Sequence, residues 1–128
     1  MDCIKFEVSN TYLLPEKVNI RKMDEIEIIQ YDLPFKIIIN DYIFFYDEYF
    51  TVLEFIKTVL DWKEDNVCND MLYNCIDTDD NPLISFRNTD YGWVIESPWE
   101  RYKCDCYFDK KQILDAFEEL LMICNILK

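Results

Sequence analysis

Residues 35 to 50, FKIIINDYIFFYDEYF, restrict the possible folds of this chain more than any other stretch. β-branched and aromatic side chains crowd both halves, and such side chains favour a pleated surface where they pack on cross-strand neighbours. Between the halves stand Asn40 and Asp41, residue types that tolerate the left-handed backbone of a tight hairpin. The stretch predicts an antiparallel hairpin turning at Asn40-Asp41.

Other segments extend the pattern. CIKFEV (3 to 8) alternates as a strand does, SNTYLLPEKVN reads as a loop, and IEIIQYD (26 to 32) reads as a strand. MLYNCI (71 to 76) reads as a strand before the polar turn DTDDNP. LISFRN (83 to 88) and GWVIES (92 to 97) flank TDY as a second hairpin. In YKCDCYF (102 to 108), Tyr102, Cys104, Cys106 and Phe108 fall on one side of a predicted strand.

Two helices are announced by their starts. Thr51 and Glu54 have capping-box spacing, with Phe50 and Phe55 in the staple positions, and Val52, Phe55, Ile56, Val59 and Leu60 follow at helical spacing. Asp109 and Gln112 repeat the box, with Phe108 and Ile113 as the staple. The apolar stripe then runs through Leu114, Phe117, Leu120, Leu121 and Cys124. The order is β-β-β-α-β-β-β-β-α. The expectation is an α+β fold: an antiparallel sheet of about six or seven strands, two helices packed on one face, and the other face partly open to solvent. No repeat or linker divides the 128 residues, so one domain, 1 to 128, is expected.

Charge narrows the function. The chain carries 26 Asp and Glu against 13 Lys and Arg, a net charge of −13, which should repel nucleic acid and anionic membranes and attract basic partners. The opening MDCIKFEVSN has no basic-then-apolar leader pattern and no apolar run is long enough for a membrane span, so a cytoplasmic location is expected. The six cysteines include no CxxC pair and read as free thiols.

Catalysis finds little material. There is no histidine, which removes the usual general base and the Ser-His and Cys-His pairs. A single glycine, Gly92, cannot build a phosphate-binding loop, and it reads instead as the entrance to a strand. A carboxylate-pair enzyme would need a cleft and a carboxyl group with a raised pKa. No enzyme activity and no cofactor are expected.

Metal sites fare similarly. Asp77, Asp79 and Asn81 start like a calcium loop, but the sixth position is Pro82 and the twelfth is Asn88, where a calcium loop needs glycine and glutamate. Cys104 and Cys106 would share a strand face, yet no histidine or second cysteine pair stands at zinc-site spacing. No metal is expected.

Binding residues remain. Acidic side chains gather at Asp61, Glu64 and Asp65, at Asp77, Asp79 and Asp80, and at Asp115, Glu118 and Glu119. The last group reads as a solvated helix face. The first opposes the dipole at a helix C-terminus, a local cost that hints at another use. Trp99 follows the Ser97-Pro98 strand break and reads either as folded over a sheet edge or as an exposed anchor.

YIFFYDEYFTVLEFIKTVLDW and NPLISFRNTDYGWVIESPW with DKKQILDAFEELL span most of residues 42 to 121. In these segments and in its overall character the chain resembles the small acidic single-domain immunity proteins of bacterial toxin systems. The resemblance implies a role, binding and blocking a cognate toxin that is often a basic nuclease, and carries over no contact residue by position.

The leading expectation is therefore a non-catalytic inhibitor of a toxin protein with a basic surface. Its contacts would be Asp61, Glu64, Asp65, Asp77, Asp79 and Asp80, with Trp99 as anchor. The alternative is a housekeeping or regulatory domain that self-associates through the face of YIFFYDEYF, with its acidity serving solubility and a homo-oligomer as the product.

Overall fold

The computed structural model describes residues 2 to 65 and 68 to 127. Its first sheet is built on the hairpin. Strand β2 (Asp32–Ile39) pairs antiparallel with β3 (Tyr42–Thr51), and Asn40 and Asp41 turn between them with φ of 50° and 71°. Two successive left-handed residues match the twist of the flanking strands. Asn40 also ties the turn to the start of the chain, accepting from the Cys3 amide at 2.7 Å and donating to Asp2 at 2.9 Å. Strand β1 (Ile4–Val8) lies antiparallel on the other side of β2.

The second sheet contains β4 (Met71–Tyr73), β5 (Ile84–Thr89) and β6 (Gly92–Glu96), in that order and antiparallel. The fold is thus α+β with two three-stranded antiparallel sheets, where the sequence suggested one sheet of six or seven strands. The Arg101 amide, from the segment after β6, donates to the Phe44 carbonyl of β3 at 2.9 Å.

Helix α1 (Glu25–Ile29) replaces the strand expected over 26 to 32. Alternation in EIEII suits either element, and the cap decides. Asp24 accepts from the Glu27 amide at 2.8 Å and Glu27 reaches back to the Asp24 amide at 3.4 Å. Strand structure begins only at Asp32.

The predicted strand over 102 to 108 is also absent. Phe108 alone bridges Trp93, through hydrogen bonds of 2.8 and 2.9 Å. Burial alternates from Lys103 on, since Cys104 and Cys106 are half-buried and Lys103, Asp105 and Tyr107 exposed. Tyr102 is exposed, however, and among the described residues no neighbouring strand completes a ladder. Gly92 explains how the crossing fits. Its φ is +130°, and a Cβ there would stand 3.0 Å from the Phe108 carbonyl oxygen.

Helix α2 (Val52–Asp65) follows β3 without a loop, and α3 (Lys110–Ile123) starts at the expected Asp109–Gln112 capping box, both arms of which form. The box expected at Thr51 differs: the buried Thr51 hydroxyl lies 3.0 Å from Glu54 Oε1, and it meets that carboxylate in place of a backbone amide.

The helices close a shared aromatic core. Phe6 of β1 stacks on Phe117 of α3 at 5.2 Å, and Phe86 of β5 meets Phe117 at 5.4 Å. Phe55 of α2 lies against Phe6, Phe35, Phe50 and Tyr73, so both sheets and both long helices surround one cluster. Helix α3 packs along β1, while α2 reaches β2 and β4. No helix among the described residues is long and apolar enough to cross a membrane.

Candidate functional site

The site grows from the point where β4 ends. A strand over 71 to 76 stops at Tyr73 because the Asn81 side chain takes the next backbone groups. Asn81 Oδ1 accepts from the Cys75 amide at 2.8 Å, and its Nδ2 donates to the carbonyls of Cys75 and Thr78 at 3.1 and 2.8 Å. One amide side chain thus closes the loop from 75 to 81 and leaves Asp77, Asp79 and Asp80 exposed. The asparagine that could have resembled a calcium ligand is a loop clasp.

Trp99 holds the far end of this loop. Its indole Nε1 donates to Asp80 Oδ2 at 2.8 Å, and its ring stacks on Phe45 with centroids 6.2 Å apart and 9° between planes. It remains 38% exposed. The two sequence readings of Trp99 therefore combine: it is folded against the sheet and still presents an edge to solvent.

Asp77 extends the acidic surface towards two residues the sequence did not single out. Burial, then the charges of Asp77 and Asp47, push the Asp32 carboxyl above its ordinary range. Three elements, β2, β3 and the loop after β4, contribute to this mutual repulsion. Asp32 and Asp47 lie within strand patterns, where only the folded arrangement reveals that Asp47 and Asp77 both act on Asp32.

Beside this surface runs a groove of about 670 Å³ between α1, α2 and residues 74 to 76. Ile26, Ile28 and Ile29 line it from α1. From α2 come Glu54, Lys57, Thr58 and Asp61, the spacing of one helical stripe. Ile76 completes the opposite side.

Glu54 is held firmly at this place. The Tyr73 hydroxyl donates to its Oε1 at 2.6 Å, the Ile76 amide donates at 3.3 Å, and the Thr51 hydroxyl lies 2.8 Å from that of Tyr73. Burial, and next the Glu54 carboxylate, push the Tyr73 phenol far above its ordinary range, so it stays a proton donor.

The first acidic group is only partly available. Arg21 binds Asp61 at 2.6 Å and Glu64 at 2.9 Å, which relieves the charge held against the α2 dipole. That contact supplies a local reason for a pattern the sequence left unexplained. Asp65 sits exposed at the helix end. On α3, Asp115 pairs with Lys111 at 2.8 Å and Glu118 with Lys63.

Among the described residues no group of three or more carboxylates and thiols is placed to hold a metal ion. The six cysteines are free thiols, with Cys75 and Cys124 buried.

A family described as "Domain of unknown function (DUF7878)" matches residues 4 to 125. The chain belongs to the DUF7878 family. No curated protein and no solved structure matches it. Family membership covers both sheets and all three α-helices, so the groove and the acidic loop lie within the DUF7878 domain.

Proposed function

We propose that this DUF7878 protein is a non-catalytic binding protein of the immunity type, which neutralises a cognate toxin domain by covering its basic surface. The observation that carries the reading is the continuity of the acidic face. Ile76 lines the groove, Asp77 follows it, the charges of Asp77 and Asp47 both act on Asp32, and Asp80 accepts from the half-exposed Trp99. Carboxylates on a rigid frame speed encounter with a basic partner, and an aromatic held in place can anchor the complex with little ordering cost. Occlusion of a phosphate-binding surface, such as that of a nuclease, is the mechanism this charge supports. The same charge disfavours nucleic acid and anionic membranes as partners, and a cytoplasmic location is part of the proposal.

Self-association through β3 has less support. Phe44 and Phe45 are buried and Tyr102 and Arg101 lie against Phe44 and Tyr46, which leaves Tyr42 and Tyr49, at opposite ends of the strand, as its exposed aromatics.

The test is capture of partners from the native host with the tagged full chain at low salt, followed by elution with rising salt. A single basic protein in simple stoichiometry is the expected result. Recovery of the chain alone, as a salt-resistant oligomer, would overturn the reading in favour of self-association.

A further inference from the structure

The groove carries chemistry that charge alone does not describe. Ile26 is 74% exposed and Ile76 is 62% exposed, and they line the groove from two different elements. Ile28 and Ile29 add buried and half-buried apolar surface between them. Burying such side chains on a partner removes apolar area from water.

The carboxylates around this apolar surface are arranged, not merely numerous. Glu25, Glu54 and Asp61 line the groove with one lysine, Lys57; Arg21 pairs with Asp61 from outside the lining, and Glu25 and Glu54 still outnumber Lys57. Glu54 and Asp61 are seven residues apart on α2, which separates them by about 10 Å along the helix axis. All three donors to Glu54 converge on Oε1, leaving Oε2 with no partner among the described residues. Among the described residues no buried side-chain oxygen or nitrogen lacks a hydrogen bond, so Oε2 retains contact with solvent. A carboxylate fixed through one oxygen and free at the other is a preorganised acceptor for a cationic side chain.

We propose, resting on the reading above, that the groove receives a basic amphipathic segment of the partner. An apolar side chain sits between Ile26 and Ile76, and a lysine or arginine pairs with Oε2 of Glu54. An all-basic segment leaves the isoleucines wet, and an acidic amphipathic one meets the carboxylates of Glu25 and Glu54. The groove therefore selects for both properties together.

The test uses the full chain and labelled synthetic peptides, followed by fluorescence anisotropy. One peptide places leucines and lysines at helical spacing, a second of equal length is all lysine, and a third exchanges lysine for glutamate. The Leu/Lys peptide is expected to bind best. Ile26→Ser with Ile76→Ser should weaken it by about tenfold or more, since each serine removes exposed apolar area. Glu54→Gln should weaken binding and flatten its salt dependence. Tyr91→Ser, at an exposed aromatic on the β5–β6 turn, should leave it unchanged.

Equal binding of the all-lysine peptide, or indifference to the serine pair, would overturn the groove assignment. Capture of a basic host protein undiminished by the serine pair would also overturn it while leaving the acidic-face reading intact. Peptide binding in the groove without any captured basic protein would keep the groove's selectivity and sink the immunity-type role.

Discussion

Trp99 and Asp80 are joined by a 2.8 Å hydrogen bond from the indole nitrogen to the carboxylate, across nineteen positions of sequence. The bond links the segment after β6 to the acidic loop after β4, while the indole ring rests on Phe45 of the first sheet. Trp99→Phe keeps an aromatic ring over Phe45 and deletes the donor. Because the acceptor is exposed and can turn to water, the expected loss of stability is below about 1 kcal/mol by urea denaturation. Binding should fall more than stability does if Trp99 anchors a partner, by roughly 2 kcal/mol. Equal losses in both measurements would make Trp99 a structural residue only.

Arg21 offers a test of the first acidic group. Arg21→Ala removes the cation shared by Asp61 and Glu64, both of which are exposed enough for solvent to screen the pair. The variant should lose less than about 1 kcal/mol at low salt. That difference should shrink as salt rises. A large, salt-independent loss would mean that Arg21 contributes through packing instead of charge.

What the sequence made legible divides by range. The Asn40-Asp41 turn and the Asp109 cap rest on residues three or fewer apart, and both formed as read. Helix α1 departs from the strand expected there for a local reason: EIEII suits either element, and the Asp24–Glu27 box decides. The ends of strands were a different matter. Asn81 stops β4 from six residues beyond Cys75, and Gly92 lets Phe108 cross sixteen residues later. The site behaves likewise. Asp77, Asp79, Asp80 and Trp99 could be nominated from composition and position, but Asp32, Asp47 and the role of Arg21 depend on long-range proximity. Glu54 was visible only as a cap, and its contacts with Tyr73 and Ile76 require the folded chain.

Gly92→Ala should be among the most destabilising single changes outside the core. Its φ of +130° is strained for any residue with a Cβ, and the added atom would press on the Phe108 carbonyl at 3.0 Å. Strain of this kind costs about 1–3 kcal/mol. Equilibrium unfolding in urea measures it, and a loss under about 0.5 kcal/mol would show that the 107–108 segment shifts freely.

Asp32→Asn should stabilise the protein at neutral pH. Burial, with Asp77 and Asp47 nearby, raises the folded-state pKa of Asp32 above its unfolded value. Ionisation therefore disfavours the folded state, and the penalty is fully present once pH exceeds the folded value. Below the ordinary aspartate pKa of about 3.9 the group is protonated in both states and the penalty vanishes. The gain from asparagine, below about 1 kcal/mol because Asp32 is largely solvated, should fade as pH falls through that range. A constant gain from neutral to acid pH would assign it to something other than charge.

Tyr73 couples the core to the groove. Its ring lies against Phe50 and Phe55, and its hydroxyl donates to the same Glu54 oxygen that receives the Ile76 amide. Tyr73→Phe keeps the ring contacts but removes the principal donor, so Glu54 loses both stabilisation and orientation. The expected cost is about 1–3 kcal/mol, in the range for leaving a partly buried acceptor short of a partner. Glu54→Gln should cost less in the Tyr73→Phe background than in the native chain, because the contact it weakens is already gone. Contacting residues in one hydrogen-bond network commonly couple by about 0.5–3 kcal/mol. A double-mutant cycle in urea measures that coupling, and additivity within about 0.5 kcal/mol would show that the phenol does not position the carboxylate.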